Sequence, residues 1–481
     1  LLPASADSIQ ALAQKIDQAL LAKMKDEHIP GVAVVIVQNG KIIYKKGYGL
    51  ANTDTKQKVS VDSTIFRIGS TSKALTFLTL TKLIEKGLVN YEDAISKYVA
   101  GIENPYHLKD TIRIKHLLTH TGGFDQIGFG RQILDFELTL EERKAKRPSI
   151  LAFLQGGNMR RIRPAGQHFT YDTYGTTVAG AIIAKVTGLS YKEAMQQELF
   201  QVLGMHSTSV EVEPDNLGRL AKGHGYVNGQ YKTMPYEIYL TPPASSIDAS
   251  PLDMGRLLEA LTNQGSNAQG RLFRPETLKR VIAPQFRPHP EFVGMSHGLW
   301  ESQRIGAIPD AYSIRTIGHG GDMLGITCAM DLIPDLDLGF FVVANRNGEA
   351  GGGGVSIGRP VMNIILEHFG IEKKTPPYQI PKANTNLKLE EYAGNYTFSI
   401  YCHTCSEEEI QQGAWSRGNL IPIRVNKNTL LLDGEVYLAR EKDIFIREDG
   451  QEMIFFGRNK DNRVAFFVFS DNSHSFEKVE N

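Results

Sequence analysis

The order of apolar periods along the chain predicts an α+β protein: an antiparallel sheet flanked by helices, followed by a small C-terminal all-β barrel. Three observations carry that prediction. Strand-like runs stand near both ends of residues 1–374 with helical spacings between them, which fits helices packed on an antiparallel sheet better than regular βαβ alternation. Composition changes at Lys373–Pro381, where Lys-Lys-Thr-Pro-Pro-Tyr-Gln-Ile-Pro reads as an extended linker. Beyond it, short alternating segments parted by turn residues replace the longer periods. The expected domains are therefore residues 1–374, a linker over 375–386 and a barrel over 387–481.

The elements follow in order. Ser8–His28 sets Ile9, Leu12, Ile16, Leu20 and Met24 at helical spacing. Gly31–Val37 and Lys41–Tyr44 are strand-like, and the Gln38-Asn39-Gly40 between them is a strong hairpin signal. Thr71–Lys86 is helical, with Leu75, Leu78 and Leu83 among its apolar residues, and it stops at Gly87. Ala179–Val186, Pro251–Leu261 and Gly358–His368 read as helices, Ile326–Ile333 and Leu338–Ala344 as strands. The C-terminal strands are expected at Asn395–Phe398, Leu420–Val425, Thr429–Leu432, Ile444–Arg447, Met453–Phe456 and Val464–Phe469. The glycine run Gly351–Gly354 has neither a P-loop tail nor dinucleotide-fingerprint spacing, and reads as a mobile loop before a helix.

Of the 481 residues, 41% are apolar and 22% charged, as in a globular chain with a buried core and unlike a disordered or fibrous one. Lys+Arg and Asp+Glu both total 53, so nothing in the charge favours a nucleic-acid or acidic-membrane partner. Apolar runs such as Gly31–Val37 and Gly339–Ala344 are too short to cross a bilayer. No signal peptide is seen, and the Met-less start Leu1-Leu2-Pro3 leads us to expect that an upstream leader has been removed. Three cysteines make no disulfide framework. For the C-x-x-C of Cys402 and Cys405 a local disulfide in an exported protein is the favoured reading; two inert thiols, or a metal or redox site, are the alternatives. Cys328 is expected in the core.

The chemistry is written in Gly69-Ser70-Thr71-Ser72-Lys73, where Ser70 and Lys73 form S-x-x-K at the start of a helix. Spacing i, i+3 puts both side chains on one face, so an amine can act on a hydroxyl that is a poor nucleophile without a base. The helix N-terminus adds unpaired N–H groups that favour developing negative charge. Alone the motif is weak: about one or two arise by chance in a chain of this length, and Ser475-Phe476-Glu477-Lys478 is a second instance with no helix start. His116 and His120 stand at i, i+4, but no zincin-type Glu-His pairing accompanies them and no metal is expected there.

Further segments follow Ser70 in a telling order: Leu117-Leu118-Thr119-His120-Thr121-Gly122-Gly123, then Tyr171-Asp172-Thr173, then His319-Gly320-Gly321-Asp322. From about Gly31 to Phe369 the chain resembles the serine β-lactamase and penicillin-binding-protein hydrolases, and most closely their class C β-lactamase, D-aminopeptidase and esterase group. The resemblance implies a β-lactamase/transpeptidase-like fold and an acyl-enzyme on Ser70. Lys73 would stay protonated or share a proton with Tyr171, the general base, and His319 would orient the substrate or donate toward the leaving group. It also implies an oxyanion hole from the N–H groups of Ser70 and Asp322, with Gly320, Gly321 and Thr173 lining the substrate. Gly320 and Gly321 are expected to let a strand edge approach the substrate backbone closely.

Two departures from the family pattern bear on substrate. Thr173 replaces the usual Asn, whose carboxamide both donates and accepts, and His319 stands where many relatives have Lys. The expectation is thus a hydrolase of small amides, D-amino-acid peptides or esters; the alternatives are a β-lactamase proper or a catalytically idle penicillin- or peptidoglycan-binding protein. Leu389-Glu390-Glu391-Tyr392-Ala393-Gly394-Asn395-Tyr396 resembles the opening of lipocalin-like barrels appended to some of these enzymes, which would shade the active site. The expected partner is a small-molecule or short-peptide substrate, with no cofactor, no nucleic acid and no membrane span; oligomeric state is left open. A periplasmic or secreted location is expected.

Overall fold

In a computed structural model the described residues are 6–127, 132–133, 137–301, 314–347, 353–371, 378–380, 387–411, 414–470 and 472–479. The chain opens with helix α1 (Ala6–Asp26) and the hairpin β1 (Gly31–Gln38) and β2 (Lys41–Asn52). Asn39 and Gly40 both take positive φ, 51° and 69°, as a tight turn between right-twisted strands requires. Short strands β3 (Gln57–Lys58) and β4 (Phe66–Arg67) lead into α2 (Thr71–Glu85). The chain continues through α3 (Thr173–Thr187), β5 (Ile247–Ala249), α4 (Pro251–Leu261), β6 (Trp300–Glu301), β7 (Ile317–Met323), β8 (Ile326–Ile333), β9 (Leu338–Ala344) and α5 (Gly353–His368).

Seven strands form one sheet in the order β6-β7-β8-β9-β1-β2-β3, every neighbour antiparallel. All eight residues of β1 are buried, because helices cover both faces of the sheet. Val32, Val34 and Ile36 pack with α1 and α5, whereas Ala33, Val35 and Val37 pack with α2 and α4. This period-2 division between two cores explains why β1 reads as a continuous apolar run. β4 lies outside this sheet, paired to β5 with Phe66 opposite Ala249 and Arg67 opposite Asp248.

The C-terminal strands β10 (Gly394–Phe398), β11 (Ile421–Asn426), β12 (Thr429–Leu432), β13 (Glu435–Glu441), β14 (Ile444–Arg447), β15 (Met453–Arg458), β16 (Val464–Phe469) and β17 (Asn472–Val479) close into a barrel. Its interior is filled by side chains, among them Tyr396, Leu430, Tyr437, Phe445, Phe456 and Phe467. The sequence marks six of these strands and misses β13 and β17. In β17, His474 and Ser475 are buried against the first domain instead of in the barrel core, so no alternation shows. Cys402 and Cys405 are joined by a disulfide, and Cys328 is buried. Of the expected linker only residues 378–380 are described, and Gly351 and Gly352 of the glycine run also lie outside the described residues.

Candidate active site

Ser70 is the N-cap residue of α2, yet its hydroxyl makes no capping hydrogen bond. Instead the Lys73 ammonium donates to Ser70 Oγ at 3.1 Å and to the Ala244 carbonyl at 3.0 Å. The i, i+3 spacing on the first turn of α2 dictates this pairing. Lys73 is 1% exposed. Burial pushes its amine down to about 7, although the Asp172 carboxylate opposes the shift. The same burial raises Asp172 to about 7, against the N–H groups of Gly175 and Tyr174 and the charge of Lys73. Lys73 is thus poised between its charged and neutral forms near neutral pH.

Tyr171 reaches the same place from the segment before α3. Its ring lies 4.7 Å from Lys73 Nζ, measured to the centroid, with the ammonium over its face. Asp172 caps α3 by accepting from Tyr174 N at 2.7 Å and Gly175 N at 2.9 Å, which fixes the residues on either side of it. The Asp172 N–H donates to His120 Nδ1 at 3.2 Å, so the Leu117–Thr121 loop supports the tyrosine's backbone. His116 Nδ1 is used in the same way, accepting from Arg113 N. Both histidines of the i, i+4 pair thus serve as backbone acceptors. Thr173 is completely buried, its N–H directed to Gln126 Oε1, and its hydroxyl has no hydrogen-bond partner among the described residues.

β7 brings the remaining candidates. A Cβ on Gly321 would stand 1.9 Å from the Ile68 carbonyl oxygen, and one on Gly69 would stand 2.9 Å from Asp322 N. Gly69 also has φ +50°. The backbone of β7 therefore lies against the turn that carries Ser70, and the N–H groups of Asp322 and Ser70 belong to adjoining segments. The missing side chain of Gly321 makes room for the chain's own Ile68 carbonyl. Thr327 Oγ1 donates to Asp322 Oδ1 at 2.6 Å, holding the Asp322 carboxylate on its own hairpin. His319 is buried, with Nδ1 at 2.7 Å from the Gly320 carbonyl. A carbonyl only accepts, so Nδ1 carries the proton of this hydrogen bond, and Nε2 donates only when both ring nitrogens are protonated. The donor role expected from the sequence requires the imidazolium.

The barrel forms part of this wall. His474 of β17 lies within an aromatic cluster, with ring centroids 5.0 Å from Phe169, 5.1 Å from Phe398, 5.5 Å from Trp300 and 6.3 Å from Tyr171. Burial drives its imidazole down to about 3, so it is neutral in the working range. Trp300 in turn stacks on His319 at 5.3 Å. Polar contacts fasten the barrel here: Arg163 donates to Glu477 and to the Ser399 carbonyl, Arg160 to Glu409 Oε1 at 2.8 Å, and the Asp125 carboxylate accepts from His403 N and Thr404 N. Burial alone would raise Glu477, but Arg163 and His168 hold it well below the usual carboxylate range. The Cys402–Cys405 disulfide closes the turn that carries His403 and Thr404.

A family profile described as Beta-lactamase matches residues 16–356. The chain belongs to the beta-lactamase family. Among curated proteins, this family member is 32% identical over 200 residues to Protein flp of Staphylococcus aureus, covering 41% of this chain and 38% of that one. It is 27% identical over 227 residues to Penicillin-binding protein 4* of Bacillus subtilis, covering 46% and 48%. The chain thus spans between about a third and a half of the length of these curated relatives. Among solved structures, SurE with D-Leu aligns over 99% of this chain and 100% of its own at a TM-score of 0.65 and 17% identity. EstCE1, a hydrolase with promiscuous acyltransferase activity, covers 76% and 99% with TM-score 0.58 and 19% identity. A class C beta-lactamase covers 75% and 98% with TM-score 0.59 and 20% identity. These structural likenesses show the β-lactamase/transpeptidase-like fold.

Within this family fold, Ser70, Lys73, Tyr171, His319 and the Asp322 backbone, drawn from three stretches of sequence, stand around one point. Sequence reasoning missed Ala244, Trp300, Gln126 and His474. Asp172 carried a signal that went unread, an Asp placed just before a helical run. Ala244 acts through a backbone carbonyl and His474 comes from another domain, so neither leaves a local pattern.

Proposed function

We propose that this protein is a serine hydrolase that forms an acyl-enzyme on Ser70 and cleaves a small amide, D-amino-acid peptide or ester. The observation that carries this reading is the desolvated Lys73 amine, 3.1 Å from Ser70 Oγ and brought down to about 7 by burial. An ordinary lysine near 10.5 holds its proton too firmly to accept one from a hydroxyl at neutral pH. Ser70 Oγ attacks the carbonyl carbon while its proton passes to Lys73. The oxyanion is met by the N–H groups of Ser70 and Asp322, at the positive end of α2; such donors matter by about 10²–10³-fold each in rate. The bond to the leaving group then breaks, and the proton returns to that group with Tyr171 on its path. Water repeats the sequence on the ester of Ser70.

A D-amino-acid peptide or ester is favoured over a β-lactam. Thr173 lacks the double reach of a carboxamide, and the buried His319 is no fixed cation for a β-lactam carboxylate. The neighbour solved with D-Leu supports the same preference. We propose further that the barrel restricts substrate size, since His474 and Phe398 stand beside Tyr171 and Trp300. A periplasmic or secreted location is proposed on the disulfide, which persists in oxidising compartments.

The test is a turnover screen of D-amino-acid amides, D-Ala-D-Ala peptides, p-nitrophenyl esters and a chromogenic cephalosporin, with Ser70→Ala and Tyr171→Phe as controls. Turnover of an amide or ester that both variants lose supports the reading. Ligand binding without turnover, unchanged in Tyr171→Phe, would establish the idle binding protein instead.

A further inference from the structure

Ser70 and Asp322 supply the two oxyanion donors from segments far apart in the chain, so their spacing must be held by something outside either one. The β7–β8 hairpin that carries Asp322 ends in the turn Leu324-Gly325, and the Leu324 side chain is 41% exposed. That tip gains little hold from its own side chain. Its backbone is tied down: the Leu324 N–H donates to Glu237 Oε2 at 3.0 Å, and the Gly325 carbonyl accepts from His224 N at 3.2 Å.

Glu237 Oε2 also accepts from Arg67 at 3.1 Å, and a second Arg67 nitrogen donates to the Glu237 carbonyl at 2.9 Å. Arg67 belongs to β4, three residues before Ser70. Tyr239 donates to the other carboxylate oxygen at 3.0 Å, and the Arg67 guanidinium lies 4.2 Å over the Tyr236 ring. Arg67 and Glu237 are 4% and 6% exposed as side chains. One carboxylate oxygen thus bridges the strand leading to Ser70 and the turn leaving Asp322. Two N–H groups held at fixed separation are what a preorganised oxyanion hole needs, and a drift of about 1 Å is costly in such a site. A buried ion pair contributes little net stability, so specificity of placement is the property it best explains here.

We propose that Glu237 is a positioning residue, which through Arg67 and Leu324 sets the distance between the oxyanion donors of Ser70 and Asp322. The proposal rests on the reading of Ser70 as the acylated nucleophile.

The experiment compares wild type, Glu237→Gln, Glu237→Ala and Tyr239→Phe. It measures the burst rate of acylation by p-nitrophenyl acetate per titrated Ser70, KM, and the affinity for phenylboronic acid, whose tetrahedral adduct places an oxygen in the hole. Expected for Glu237→Gln is a loss of about 10-fold in both burst rate and boronate affinity, with KM and the titre unchanged. Glu237→Ala loses more, because no acceptor remains for Leu324. Tyr239→Phe, which removes only the contact to Oε1, loses a few-fold and carries the test if the Glu237 variants do not fold. Equal per-site rates and boronate affinities in an acylating wild type and in Glu237→Gln overturn this proposal alone, as does a variant whose only defect is a lower titre. A wild type that neither bursts nor binds boronate overturns this proposal and the Ser70 reading together.

Discussion

The dependence of kcat/KM on pH is decided by which form of Lys73 works. With its amine at about 7, half of the molecules hold the free base at pH 7. An ordinary lysine near 10.5 would leave only about one in 3,000. If the free amine takes the Ser70 proton, the rate rises with pH as Lys73 loses its proton. It then falls about tenfold below its plateau at pH 6 and about a hundredfold at pH 5. Asp172 interacts with Lys73, so the ascending limb belongs to the pair. The carboxylate raises the amine, and its removal in Asp172→Asn lowers it, moving the limb to more acid pH. Asn preserves the cap on α3, because its amide oxygen accepts from the same N–H groups. The assay is ester turnover from pH 5 to 9 at constant ionic strength, with spontaneous hydrolysis subtracted. A rate that descends through pH 7 would show the ammonium to be the working form and refute the argument. So would an Asp172→Asn limb displaced to alkaline pH.

Three further outcomes are expected. Gly321→Ala sets a methyl against the Ile68 carbonyl, a backbone atom that no rotamer can clear; acylation should fall by about 10² or more while the barrel still folds, and burst kinetics with near-ultraviolet circular dichroism check both. His474→Ala empties part of the aromatic wall beside Tyr171, so the kcat/KM ratio of a bulky acyl ester to p-nitrophenyl acetate should rise; an unchanged ratio in a folded variant contradicts gating by this residue. Cys402→Ser opens a loop of sequence separation 3, for which chain entropy gives about 2 kcal/mol. Denaturant titration with and without dithiothreitol should show the wild type losing that stability on reduction and the variant losing none.

Much of the first domain was legible because its periods are long and clean. Leu338–Ala344 and Pro251–Leu261 are found where their apolar spacing places them. Asn39-Gly40 forms the hairpin its residues require. The proposed nucleophile, Ser70, was readable because S-x-x-K is local, and three more motifs in order gave it context. What was not legible depends on distant chain. Nothing around Ala244 announces that its carbonyl holds Lys73, and Glu237 is an unremarkable glutamate until Arg67 and Leu324 are folded onto it. β17 shows no strand period because it is buried against two different surfaces. The contact Gly321 makes room for was hidden for a related reason: its neighbour is Ile68, some 250 positions earlier in the numbering.

The most direct measurement is peptide mapping after treatment with a fluorophosphonate probe. The account predicts one covalent adduct, on the peptide containing Ser70, abolished in Ser70→Ala and formed far more slowly in Lys73→Met. An adduct confined to another serine, or Lys73→Met labelling at the wild-type rate, would contradict it.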